Sequence, residues 1–425
     1  MRVPAFSLFL LASVFTGESL AGSSTARRFP DSRDPVPEGW TGPVFKLSQD
    51  YPTQPPAPEP APWLSYDLQT QWRQYLNSVL RYCYDGNIEA GWVLQNNRVR
   101  PWYHAPWLHY GRNGREFIHG LTHERPSLPE ELARTQTTPV QNWAVGFYNA
   151  PGGYVIGQVW KNANAPDVSN VRFPPGTVSC KLIFTQATPE QVPYLKGSVE
   201  WQANIYANIN LPTNPIAPRE PHTLRLLQID VAVRDPRVDK TGGWVLGSFV
   251  YNGEVAGRTP WDRLVPLGLS WGNDPSLNQT ALAAGGTPTE SILNDSPEVP
   301  PQHYGWGRRL NGPVDNPVSA CVSCHSTAQW SLDPNSKLST VIPGRNAPVG
   351  SKDWMRWYRN LPVGTAFDAD RDANARSLDF SMQLSTGIAN WNDWRRTSTN
   401  LGGYFNEPPS VPMPSVPARP LARSE

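Results

Sequence analysis

The clearest alternation of apolar and polar positions lies between Leu224 and Arg234, with Leu227, Ile229, Val231 and Val233 on one side and Gln228, Asp230 and Arg234 on the other. A period of two places successive side chains on opposite faces of a strand. Shorter runs of the same character predict strands at Asn142–Tyr148, Tyr154–Trp160, Thr177–Thr185, Ser198–Tyr206, Gly243–Tyr251 and Leu264–Trp271, with the alternating run extended to Thr223–Arg234. Turn residues such as Pro151-Gly152-Gly153 and Thr241-Gly242-Gly243 punctuate them. Strands following one another without helical stretches predict a mainly β, or α+β, protein with an antiparallel β-sandwich-like body or a strongly curved sheet. Leu76, Val79, Leu80 and Cys83 recur at helical spacing and predict a helix over Leu68–Tyr82; a second, short one is expected around Arg115–His123.

This pattern divides the chain into six regions. Residues 1–21 read as a signal peptide: Arg2, then an apolar run from Ala5 to Phe15 that is too short for a membrane span, then Ser19-Leu20-Ala21 as a small-x-small cleavage site. The mature chain is therefore expected to begin near Gly22, in the bacterial periplasm. Residues 22–62 are a proline-rich strap or linker and 63–273 the β-rich domain with its N-terminal helices. Residues 274–302 read as a linker, 303–405 as a separate C-terminal region rich in loops and helices, and 406–425 as a disordered tail. The 46 prolines, 33 glycines and 18 tryptophans, with only 17% charged residues, agree with short strands and fixed turns. Thirty-seven basic against 36 acidic residues leave a net charge of +1, which gives nucleic acid or an anionic membrane nothing to attract. In an oxidising compartment Cys83 and Cys180 can pair as a disulfide.

The remaining two cysteines carry the chemistry. Cys321-Val322-Ser323-Cys324-His325 is a C-x-x-C-H run, the attachment sequence of a covalent haem c. Two thiols on one turn reach the two vinyl groups along one porphyrin edge, and the adjacent imidazole ligates the iron. A redox dithiol would be expected near a βαβ pattern, which is absent here, and a tetrahedral zinc site would need a second ligand pair. One haem c per chain is the expectation, with Cys321 and Cys324 as anchors and His325 as iron ligand.

The second axial position decides what such an iron does. Met382, in Ser381-Met382-Gln383, is the leading candidate ligand, followed by Met355 and Met413. Histidine is the rival. His104, His109, His119 and His123 fall in one window, and His303 precedes the motif. The four can be structural, a metal pair in His119 and His123, or a source of a distal ligand. Arg345 is a candidate partner for a haem propionate, as are Arg308, Arg309 and Arg356. Trp306, Trp330, Trp354, Trp357, Trp391 and Trp394 offer flat apolar area that either walls a porphyrin or packs a core. Lys181, Glu200, Gln228 and Asp230 either form solvated outer faces or converge as an ion network or substrate cleft.

At Cys321 to His325 the chain resembles the c-type cytochromes, and its surroundings look like exported proteins that join a β-rich body to one haem c motif. The resemblance implies electron transfer with a redox partner protein or a small donor or acceptor. The alternative is a haem-dependent oxidoreductase, peroxidase-like, with an open distal site and a substrate cleft on the β-rich domain. A third reading is a binding module. A small cytochrome c carries a helix ahead of its motif; Tyr304 to Pro313 cannot make a regular one.

Overall fold

A computed structural model describes residues 39–42, 50–108, 110–111, 114–115, 121–206, 219–300, 304–336, 338 and 347–397. The signal-peptide segment, the C-terminal tail, His109, His119, His303, Arg345 and Met413 lie outside the described residues.

The expected antiparallel β architecture is present. Strands β1 (Tyr110–Gly111) and β2 (Gly114–Arg115) pair with each other, and β3 (Thr122–His123) opens a large sheet. That sheet continues with β4 (Asn142–Tyr148), β5 (Val178–Thr185), β6 (Glu200–Tyr206), β7 (Arg219–Arg234), β8 (Trp244–Tyr251), β9 (Leu264–Ser270) and β10 (Ser291–Leu293). Its order is β10-β9-β8-β7-β5-β4-β3, with β6 on the first half of the 16-residue β7. β11 (Gln329–Ser331) and β12 (Ala375–Ser377) form a separate antiparallel pair. Among the described residues no second large sheet stacks on the first. Its two faces are covered by helices and loops.

Each face has its own cover. Helix α1 (Trp72–Tyr84) presents Leu76, Val79, Leu80 and Cys83 to the sheet, the stripe that the sequence predicts, displaced a few residues toward the C-terminus. Leu76 sits against Gly247, where an added Cβ would lie 2.1 Å from its methyl carbon. The Cys83–Cys180 disulfide ties the same helix to β5. Across this face run Phe147, Cys180, Val231, Gly247 and Leu269 in cross-strand register. Phe147, Cys180, Val231 and Leu269 belong to the main apolar core.

The opposite face takes its cover from the C-terminal third of the chain: the loop around Leu310–Asp315, helix α4 (Cys321–His325), and helix α5 (Met382–Thr397). Leu310 packs on Gly268, Gln383 on Gly146, and Gly312 lies against Gln228. A small second core of Ala320, Trp354, Trp357, Tyr358, Leu361 and Phe367, with Trp306 and Met355 at its edge, braces this cover from outside.

Three expectations are corrected. Tyr154–Trp160 is not a strand but the body of helix α2 (Ala150–Val159). Pro151 occupies its first turn, where a missing N–H costs nothing, and the buried Val155, Ile156 and Val159 are spaced for a helix. Thr122–His123, expected in a short helix, pairs as strand with Trp143 and Ala144. The stretch read as linker supplies α3 (Gln279–Ala283) and edge strand β10. Among the described residues no helix is long and apolar enough to cross a membrane.

Candidate functional site

The motif forms a helix of one turn. Ala320 precedes it in an extended conformation, donates its N–H to Ser323 Oγ (2.8 Å), and receives the same hydroxyl at its carbonyl (2.9 Å). Cys321 N–H is held by Leu310 O at 3.0 Å. The turn places Cys321 and Cys324 one above the other, unlinked to each other and half-buried. Cys324 Sγ donates to the buried Ser319 Oγ at 3.3 Å. Burial raises both thiols, Cys324 to about 11, and the nearby carboxyls of Asp315 and Asp230 add to the shift of Cys321.

His325 is fixed by a feature that the sequence does not reveal. Its Nδ1 lies 2.9 Å from the carbonyl of Phe380. Burial lowers the imidazole pKa, helped by the Lys181 cation, so the ring is neutral. A carbonyl can only accept, so the proton of the neutral ring sits on Nδ1 and the lone pair on Nε2. This is the arrangement by which a backbone carbonyl sets the tautomer and direction of a metal-bound histidine.

The carbonyl arrives by an exact route through the fold. After α4 the chain enters β11, pairs with β12 from Ala375 to Ser377, and turns at Asp379-Phe380. Both turn residues are left-handed, with φ of 49° and 64°, a conformation that is costly outside glycine. Asp379 compensates. Its buried carboxylate accepts from Phe173 N–H (2.6 Å) and Trp244 Nε1–H (3.3 Å). The Phe380 ring lies over Gly242, whose φ of 123° and closeness to the ring leave no room for a Cβ. Ser381 then bonds Tyr148 Oη at 2.9 Å and opens α5.

A polar row faces the motif from the sheet. Gly146, Lys181, Asp230, Ser248 and Gly268 stand in register across β4, β5, β7, β8 and β9. Asp230 Oδ1 accepts from Gln228 Nε2 (2.7 Å) and Ser248 Oγ (2.6 Å). Lys181 Nζ pairs with Glu124 at 3.3 Å, their side chains 35% and 29% exposed. Asp315, six residues before the motif, completes the group. Desolvation raises its pKa to about 7, and the Asp230 charge adds to the effect. Asp230 is raised by the same burial, against the pull of Lys181. Lys181, Asp230, Asp315, Cys321, Cys324 and His325 are all half-buried, so the covered face is a polar cleft and not a sealed core.

Of the four polar residues singled out in the strands, Lys181, Gln228 and Asp230 converge, while Glu200 is exposed and pairs with Arg225 at 2.9 Å. Asp315, Glu124 and Ser248 had no sequence signal beyond being polar residues beside apolar ones. Met382 begins α5, half-buried against the main core, two residues beyond the carbonyl that holds His325 Nδ1. Met355 belongs to the second core. His104 is buried with Nδ1 2.6 Å from Gly146 O, and burial lowers its pKa to about 4. Burial brings His123, edge-on to Trp143, to the same value. These two are neutral structural residues. Among the described residues no three His, Cys, Asp or Glu side chains gather into a group that could hold a metal ion.

The described arginines expected at propionates are committed elsewhere. Arg309, fully buried between Trp306 and Tyr358, donates to the carbonyls of Asn273, Asp274, Leu277 and Trp306. Arg356 is engaged by Asp368 and Asp370, and Arg308 is a surface partner of Asp295. Among the candidate tryptophans, Trp306, Trp354 and Trp357 pack the second core, and Trp391 packs against Trp160.

In comparisons with known proteins the chain matches no family model, no curated protein and no solved structure.

Proposed function

We propose that this chain is an exported, periplasmic monohaem c-type protein that transfers electrons. The observation that carries the reading is the His325–Phe380 hydrogen bond, which leaves Nε2 as a lone pair on the residue that follows Cys324, on the same helical turn as two unlinked thiols. Cys321 and Cys324 would hold the porphyrin as thioethers and His325 would ligate its iron. Bound there, a haem c supplies an iron that cycles between the ferrous and ferric states. The protein's part is geometric and electrostatic. Phe380 O keeps the imidazole from turning, the second core and α5 exclude bulk water from the rear of the motif, and the sheet supplies fixed charge in front. The disulfide, which forms in oxidising compartments, supports export. A redox partner protein or a small donor or acceptor would exchange the electron.

The polar row favours a second reading, a haem-dependent oxidoreductase with an open distal position and the cleft as substrate site. One experiment separates the two. Visible spectra of the purified, folded full chain are recorded oxidised and reduced, with and without cyanide, and a separate sample is extracted with acidic acetone to test covalent attachment. Pigment that stays with the polypeptide and a low-spin ferric spectrum indifferent to cyanide are the expected result. A high-spin, cyanide-binding spectrum selects the oxidoreductase, and a colourless or extractable product ends both readings. Met382→Ala removes a methionine-ligated low-spin signature if Met382 is the second ligand; an unchanged spectrum removes Met382 from that role.

A further inference from the structure

The polar row has more to it than charge. Three carboxyls, Glu124, Asp230 and Asp315, act on one ammonium, Lys181, which pairs directly with Glu124 at 3.3 Å. One positive charge cannot balance three negative ones, so the group is a proton short of neutrality by two when fully ionised. Into it points the amide of Gln228, which is completely buried. Its Nε2 donates to Asp230, and both Nε2 and the Asp315 carboxylate crowd the same point beside Gly312, 2.1 and 2.5 Å from an ideal Cβ there. The amide oxygen, Oε1, has no hydrogen-bond partner. The N–H side of the amide faces both carboxyls, and its bonds favour their ionised forms against the desolvation that favours a bound proton.

We infer that Asp315, Asp230 and Gln228, with Lys181, form a proton-binding site coupled to the redox state of a haem c held at Cys321–His325. This rests on the haem reading above. The chemistry is balanced. When a one-electron donor reduces ferric iron to ferrous, the haem loses one positive charge and the Asp315 carboxylate takes up one proton from water; oxidation returns both. The coupling is Coulombic. The loop that carries Asp315 joins the two parts. Its Leu310 carbonyl holds Cys321 N–H at 3.0 Å, while Leu310 packs on Gly268 and Gly312 lies against Gln228 on the sheet. The carboxyls and the attachment turn therefore share one face, and the Asp315 and Asp230 charges act on Cys321. The partly exposed Lys181–Glu124 pair connects the site to solvent. Among the described residues, the titratable groups that act on Asp315 or feel its charge are Asp230 and Lys181 from the sheet, Glu124 beyond β3, and Cys321 and Cys324 from α4. Arg125, which reaches the Val314 carbonyl at 3.4 Å, is neutralised by Glu131 at 2.6 Å. The Asp315 pKa near 7 puts the exchange at neutral pH.

The test is a spectroelectrochemical titration of the full-length holoprotein across the neutral pH range. The midpoint potential is expected to fall as pH rises, with a slope approaching about 59 mV per pH unit, the one-electron equivalent of a tenfold change in proton concentration. Asp315→Asn flattens that slope. Lys181→Met removes the cation that holds the carboxyls down and moves the sloping window to higher pH. Redox-difference infrared spectra gain a protonated-carboxyl band on reduction, and Asp315→Asn loses it, which separates Asp315 from the haem propionates. A pH-independent potential in the unmodified protein overturns the inference while leaving the haem in place. So does a slope and band unchanged in Asp315→Asn, or, should that variant not mature, a window unmoved in Lys181→Met. Protein without covalent porphyrin overturns the haem reading, and this inference with it.

Discussion

Neighbouring rows of one sheet carry opposite chemistry. Phe147, Cys180, Val231, Gly247 and Leu269 face α1; Gly146, Lys181, Asp230, Ser248 and Gly268, each one residue along, face the C-X-X-C-H turn. The first row is closed by a methyl-on-glycine contact and a disulfide, and its four residues other than Gly247 belong to the main apolar core. The second is built from small and ionisable groups, which leave space and supply charge. Burying Lys181, Asp230 and Asp315 costs desolvation energy that hydrophobic side chains would not. The fold therefore keeps its stability on one side of the sheet and spends it on the other, where function is proposed.

Substitutions on the two sides are expected to differ in kind. The largest loss of stability belongs to the apolar face. Replacing both Cys83 and Cys180 by Ala opens a link between residues 97 apart in sequence and is expected to cost about 2–5 kcal/mol, read as a lower denaturant midpoint. A protein whose midpoint does not move would show that α1 is held by packing alone. An intermediate effect is expected at Asp379→Asn, which weakens the bonds to Phe173 and Trp244 that hold two left-handed residues: about 1–3 kcal/mol, with a shifted ferric ligand-field spectrum. The spectrum distinguishes control of His325 orientation from a purely structural role, because the latter leaves it unchanged. The smallest loss, about 1 kcal/mol or less, is expected for Ser248→Ala, which removes one of two donors to Asp230 Oδ1. Its redox titration should nonetheless shift to higher pH, since a carboxylate with fewer donors keeps its proton longer. A large stability loss with an unmoved titration would break the contrast between the faces.

How legible all this was varies with the range of the interactions. β4 lies where the sequence places it, and β8 and β9 lie within a residue, because alternation and turn residues are local signals. α2 was misread because Val155, Gly157 and Val159 mimic a period of two, while Pro151 marks a helix start as readily as a turn. β3 and β10, two and three residues long, exist only as partners of longer strands and have no pattern of their own. At the site, the two thiols and His325 were visible as a motif and are brought together by one helical turn. Asp315 and Phe380 were not visible, since each acquires its role from chain folded against it from elsewhere: Asp315 from the sheet, Phe380 from a strand pair 55 residues past His325. Arg345 lies beyond the described residues.

That last separation has a consequence for biogenesis. Both sulfur atoms leave the ribosome well before Phe380 does, so for an interval the imidazole hangs on its side chain with nothing to tell it which nitrogen to present. Only when the polypeptide has emerged past Asp379, and Phe173 and Trp244 have seized its carboxylate, does the ring acquire a fixed heading. A chain cut short before that point would own every atom of the C-x-x-C-H motif and still lack its compass.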